Sequence, residues 1–186
     1  MPTGKTPIYC WDACVFISLL TKDRKDDELE NLLALEKLSD NGGCVIVTAA
    51  ITLIEVLACM LTPEQEEMFQ ALLQRSNVTS VSCTTRIAIK AREIRDYYQA
   101  RGVKIPVPDS IHLATAIQYK ATALHTYDGS GKRKRPNDLM QLANPIIEKY
   151  ALKVTRPEPP PPEIPEVSEV KQPALTGLFD PVVEGT

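Results

Sequence analysis

Short runs of apolar and β-branched residues recur along this chain, and each is followed by a stretch with helical spacing. Pro7 to Trp11 (PIYCW), Cys44 to Thr48 (CVIVT), Asn77 to Ser82, Thr122 to Thr126 and Leu152 to Val154 are the strand candidates. A strand that lacks polar alternation is covered on both faces, and strands separated by helices run parallel. The pattern predicts an α/β fold, a three-layer α/β/α sandwich around a parallel sheet of four or five strands.

The intervening helices are punctuated as physical chemistry requires. Ala13 to Leu20 is an apolar helix, and Asp26 to Ser39 an amphipathic one with acids in its first turn and Asn41-Gly42-Gly43 as its stop. Ala49 to Met60 continues the second strand as a helix apolar on every side, which predicts burial all round. Thr62-Pro63-Glu64 supplies an N-cap, a first-position proline and an acid for a helix to about Gln74. In Thr85 to Arg101, Ile87, Ala91, Ile94 and Tyr98 share a face. Pro108-Asp109-Ser110 opens a helix to about Lys120, and a short one is expected near Asn137 to Ala143.

With 186 residues, 44% of them apolar, the chain suits one domain. No apolar run is long enough to span a bilayer, and the N-terminus has no basic segment followed by an apolar stretch. Cys10, Cys14, Cys44, Cys59 and Cys83 are odd in number and lack CxxC pairing, so a cytoplasmic protein with reduced thiols is expected. Composition changes after Val154. Residues 155–186 hold eight of the fifteen prolines, two bases and six acids, a net −4 that leaves +1 for residues 1–154 out of the chain's −3. The expectation is a folded domain over 1–154 and an extended or disordered Pro-rich acidic tail, in which Leu178-Phe179, with Val182 and Val183, forms a short apolar cluster.

In parallel α/β sheets ligands sit beyond the carboxyl ends of the strands. Asp12 directly follows the first strand and Asp128 the Thr122 to Thr126 strand, although an N-cap and an ordinary Asp-Gly turn are the alternative roles. Glu55 lies inside the apolar Ala49 to Met60 helix with no base three or four positions away, so a distant Arg or Lys, or a metal, must answer its charge. Asp109, in the first turn of an almost polar-free helix, is a capping or site residue. Together these four acids form a set of hard oxygen donors suited to Mg²⁺ or Mn²⁺ and hence to a phosphate-containing substrate. His112 and His125 are distant in sequence and set among apolar residues, and both read as structural.

The segments YCWDACVFI, TAAITLIEVL, VPDSIHLATA and LHTYD, in this order, resemble the PIN-domain nucleases, most closely the VapC-type toxin ribonucleases, over about Ile8 to Val154. The resemblance implies a PIN-like domain with Asp12, Glu55, Asp109 and Asp128 as its acidic metal site and Thr126 as a supporting hydroxyl. It further implies Mg²⁺- or Mn²⁺-dependent hydrolysis of RNA, a cognate antitoxin protein that blocks the acids from a groove near the helices after Asp12, and a homodimer. Three features depart from the pattern. Cys14 replaces a small polar residue, so a hydrogen bond to the substrate or metal shell is expected to be lost; a Gly-rich basic loop follows Asp128; and the Pro-rich tail has no counterpart in the compact toxins.

Lys132, Arg133, Lys134 and Arg135 in that loop read either as contacts to an RNA backbone or as a solvated charge run, and the acidic tail could compete with RNA for them. A catalytically weak PIN-like module that binds RNA or protein is the alternative function. A nucleotide-binding protein of another class is disfavoured, because neither GxGxxG nor GxxxxGK[ST] occurs.

Overall fold

The five strands Ile8–Trp11 (β1), Val45–Ala49 (β2), Val78–Val81 (β3), Ala123–His125 (β4) and Lys153–Thr155 (β5) form one parallel sheet in the order β3-β2-β1-β4-β5. The computed structural model describes residues 6–131, 134–142 and 149–159. Helices α1 (Ala13–Thr21), α2 (Asp26–Asp40), α3 (Ile51–Leu57), α4 (Pro63–Leu73), α5 (Thr85–Gln99) and α6 (Val107–Gln118) alternate with the strands, and a 3₁₀ turn covers Leu139–Gln141. This is the predicted three-layer α/β architecture.

Two apolar layers hold it together. On one face Val15, Phe16 and Leu19 of α1, Leu32 and Leu35 of α2 and Phe69 and Leu72 of α4 pack beneath Trp11, with Phe16 in edge-on contact with both Trp11 and Phe69. On the other, Ile87, Ala91, Ile94 and Tyr98 of α5 meet Leu113, Ala114 and Ala116 of α6. Burying one such large side chain contributes about 1.5–3 kcal/mol, so packing rather than helix propensity fixes these elements. Local signals set the ends. Thr62 and Gln65 form a reciprocal capping box at α4, with Pro63 in its first turn.

The strand order reverses at β1, which pairs with β2 on one side and β4 on the other. A crevice opens where connections leave the sheet in opposite directions, beyond the carboxyl ends of β1 and β4. The residues following those two strands are Asp12 and Thr126 to Asp128.

One expectation is corrected here. α3 is not buried all round: Thr52 and Val56 are covered, whereas Ile54 is 71% exposed, Leu57 48% and Met60, just beyond the helix, 103%. The helix is seven residues long and packs on one side, against α1. An apolar stretch reports what a surface tolerates, and exposed apolar surface serves contacts between molecules as well as cores.

At the other end, β5 continues through Thr155, whose carbonyl accepts from the Thr126 amide at 2.9 Å. Arg156 bonds to Glu28 at 2.6 Å and to the Ser130 carbonyl at 3.1 Å, and Pro157 is buried. The first residues after Val154 are therefore anchored to the sheet edge. Residues 160–186, including Leu178-Phe179, Val182 and Val183, lie outside the described residues.

Candidate active site

Asp12 is held by the turn from β1 into α1. Its Oδ1 accepts from the Val15 amide at 3.2 Å, so it is the N-cap of α1, and the same oxygen accepts from the Cys14 thiol at 2.8 Å. The capping role is thus met by a carboxylate that also lines a cleft. Burial raises its pKa, opposed by His112, by the hydrogen bonds from Cys14 and Thr126, and by the Val15 amide.

Cys14 does more than fill space. Besides donating to Asp12, its sulfur accepts from the Tyr127 amide at 3.0 Å and lies 3.5 Å from Thr126 Oγ1. The thiol keeps hydrogen-bonding capacity at this position, directed at Asp12, and it bridges the ends of β1 and β4. Burial, with Asp12 alongside, holds the thiol well above its ordinary pKa, so it remains a donor.

Thr126 Oγ1 also accepts from the Asp128 amide at 2.9 Å. Asp128 Oδ2 accepts from the Leu139 amide at 2.7 Å, tying this acid to the 3₁₀ turn. Gly129 has φ +83°, and a Cβ there would stand 2.9 Å from Asp138 Cβ, so this position requires glycine. The basic loop leaves from here. Lys134 and Arg135 are exposed; Lys132 and Arg133 lie outside the described residues.

Asp109 stands in the first turn of α6, which has no side-chain cap bond. Its pKa is pushed up to about 6, first by burial and then by the charges of Asp128, Asp12 and Glu55, with His112 opposing. The other three predicted acids are therefore all close enough to Asp109 to act on it electrostatically.

Glu55 projects from α3, whose first turn is anchored by a hydroxyl chain. Thr48 donates to the Trp11 carbonyl at 2.8 Å and pairs with Thr52 at 2.7 Å, one turn before Glu55. The partner sought for Glu55 is neither Arg nor Lys: His112 Nε2 lies 2.9 Å from its Oε2. His112, read as structural, is buried and also lines the cleft. Its spacing of three from Asp109, which puts both on one helix face, was the available signal. His125 does sit in the core, stacked on Tyr9 at 4.6 Å, and burial pushes its pKa down to about 3.

Asp12, Glu55, Asp109 and Asp128 line one cleft of about 260 Å³, with Cys14, Ile17, His112 and Leu139. Over residues 9–143 the sequence matches the PIN domain family. The chain belongs to the PIN domain family. No curated protein matches it at a significant level. Among solved structures, this PIN domain is similar to VapBC2 from Rickettsia felis bound to a DNA fragment from its promoter: 18% identity, TM-score 0.53, covering 79% of this chain and 96% of the other. FitAcB from Neisseria gonorrhoeae gives 19% identity and a TM-score of 0.52, covering 80% and 97%. FitAB bound to an IR36 DNA fragment gives 19% and 0.51, covering 80% and 94%. At these identities the likeness is one of fold.

The donor set of this PIN domain fits a hard divalent cation. Among the described residues no three His, Cys, Asp or Glu side chains already form an ion-holding group. Magnesium keeps several waters and takes one or two carboxylates directly, so carboxylates spread around a roomy cleft meet its needs.

Proposed function

We propose that this PIN domain is a metal-dependent endoribonuclease that hydrolyses RNA phosphodiester bonds, the toxin of a type II toxin-antitoxin pair. The observation that carries the reading is the gathering of Asp12, Glu55, Asp109 and Asp128, from four separate elements, in one cleft at the strand-order reversal. Burial first, and then the charges of the other three acids, raises the Asp109 pKa, and a cation offsets the cost of ionising the cluster.

Asp12, Glu55, Asp109 and Asp128 would hold Mg²⁺ or Mn²⁺. The chemistry such an ion supplies is acidification of a water and neutralisation of charge on the phosphodiester. The chain's own residues orient that site: Cys14 and the Val15 amide fix Asp12, and the Leu139 amide fixes Asp128. The exposed Lys134 and Arg135 beside it, with Lys132 and Arg133, supply positive charge for the RNA backbone.

A groove of about 210 Å³ between α1, α2 and α4, lined by Leu19, Leu33, Met68 and Leu72 with Lys22 and Arg75 at its rim, supports an antitoxin segment as partner. Exposed Ile54, Leu57 and Met60 support a homodimer. No described helix is long and apolar enough to cross a membrane, and cytoplasmic action on RNA accords with that. In this reading the nuclease domain, expected over 1–154, extends through β5 and the anchored Arg156 and Pro157, and the acidic tail follows.

The test is cleavage of a mixed RNA pool with Mn²⁺, Mg²⁺ or EDTA, beside Asp109→Asn. Metal-dependent cleavage that disappears in the variant upholds the reading. Absence of both cleavage and Mn²⁺-dependent thermal stabilisation in well-folded wild type would favour the binding module instead.

A further inference from the structure

His112 is a costly residue where it stands. Its ring is 2% exposed, and Nδ1 has no hydrogen-bond partner among the described residues. A leucine would pack a similar volume without stripping water from two ring nitrogens. The polar interaction obtained in return is the 2.9 Å contact between Nε2 and Glu55 Oε2. An ionised carboxylate only accepts, so Nε2 carries the hydrogen and donates it.

That bond has a particular place in the fold. Val56 puts α3 in one apolar layer, and Leu113 puts α6 in the other. The Glu55 to His112 bond therefore joins the two helical layers across the carboxyl end of the sheet. α3 is seven residues long and is held from one side, by buried Thr52 and Val56 and by Leu53 packed on the same layer. Its first turn is secured by Thr48 and Thr52, and Glu55 secures the next. Glu55 Oε1 has no protein donor among the described residues, so one oxygen is held and the other is left for the cleft.

We propose that His112 is a positioning residue, which fixes the Glu55 carboxylate so that its second oxygen faces a divalent cation or its water. This rests on the metal-dependent nuclease reading. Three positions after Asp109 on α6, His112 then positions Glu55 from the helix that already carries Asp109, so that one helix places two of the four acids.

The experiment compares His112→Gln with His112→Asn, alone and combined with Glu55→Ala. The Gln amide nitrogen reaches as far as Nε2, whereas the Asn amide reaches only as far as Nδ1. Mn²⁺ affinity is read by calorimetry, kcat and KM by cleavage of a fixed RNA, and folding by thermal denaturation. In His112→Asn, Mn²⁺ affinity and kcat are expected to fall about 10- to 100-fold with KM nearly unchanged, the usual loss when a residue orienting a ligand is removed. His112→Gln restores most of both, and His112→Asn adds nothing in the Glu55→Ala background.

Equal losses in the Asn and Gln variants, or a full loss in the Glu55→Ala background, would overturn the proposal. Wild type that binds Mn²⁺ and cleaves RNA while His112→Asn does so equally well overturns this inference alone. Wild type that does neither overturns the nuclease reading, and this inference with it.

Discussion

The Cys14 thiol donates to Asp12 Oδ1 at 2.8 Å while its sulfur accepts from the Tyr127 amide at 3.0 Å. One small side chain thus links the residues after β1 to those after β4, the two strands flanking the crevice. A hydroxyl can do the same, and a methyl group cannot.

Cys14→Ser is accordingly expected to keep both stability and cleavage. Cys14→Ala leaves the Tyr127 amide without its acceptor and removes one of the donors to Asp12, a loss of about 1–3 kcal/mol for a buried group. Urea denaturation of the two variants checks this. Equal stability of Ala and Ser would show that the bridge contributes nothing.

Asp109 predicts a stability that runs against activity. Its folded pKa, about 6, lies above the ordinary carboxylate value of 3.8. Between those values the native state binds more protons than the unfolded chain, so this group's contribution to stability falls as pH rises from about 4 to about 6 and stays low above that. Asp109→Asn removes the penalty. In EDTA the variant is expected to melt above wild type at pH 7, with the gap closing toward pH 4, and to have lost cleavage. Thermal melts across pH with matched cleavage assays measure both, and a gap that does not change with pH would refute the electrostatic account.

Gly129 is strained for any other residue. Gly129→Ala places a methyl 2.9 Å from Asp138 Cβ at a left-handed φ, which costs about 1–2 kcal/mol for the conformation alone. Because Asp128 precedes it and bonds to Leu139 across the same turn, cleavage is expected to fall further than stability does. Comparing kcat with the urea midpoint separates the two effects.

The basic loop makes a salt-dependence prediction. Replacing Lys132, Arg133, Lys134 and Arg135 with alanine is expected to weaken RNA binding at low salt and to reduce the slope of log affinity against log salt by about 0.7 for each phosphate no longer neutralised. Melting temperature should not move, since Lys134 and Arg135 are exposed. An unchanged slope would assign the run to solvated surface.

Glu55 was legible as a candidate site residue through a premise that the fold does not uphold. The apolar surroundings predicted burial on all sides, yet Ile54 and Leu57, its neighbours on α3, face outward. The inference still led to a side chain that lines the cleft, because α3 carries no base with which to satisfy a carboxylate, and that part of the argument is local. The contact of Glu55 with His112 was not legible, for the converse reason. In sequence His112 stands among Ile111, Leu113 and Ala114, which is how a core residue reads. Its partner lies 57 positions away.

Strand and helix positions follow from periodicity, caps and breakers, which act over a few residues, and the sequence by itself determined them: the α/β class, the elements bearing Asp12, Glu55, Asp109 and Asp128, and the turn that needs Gly129. Strand order does not follow from such signals, because any order of parallel strands buries similar apolar area. Only tertiary packing put β1 between β2 and β4, and so brought Asp12 beside Thr126, set Cys14 against Tyr127 and placed Glu55 within reach of His112.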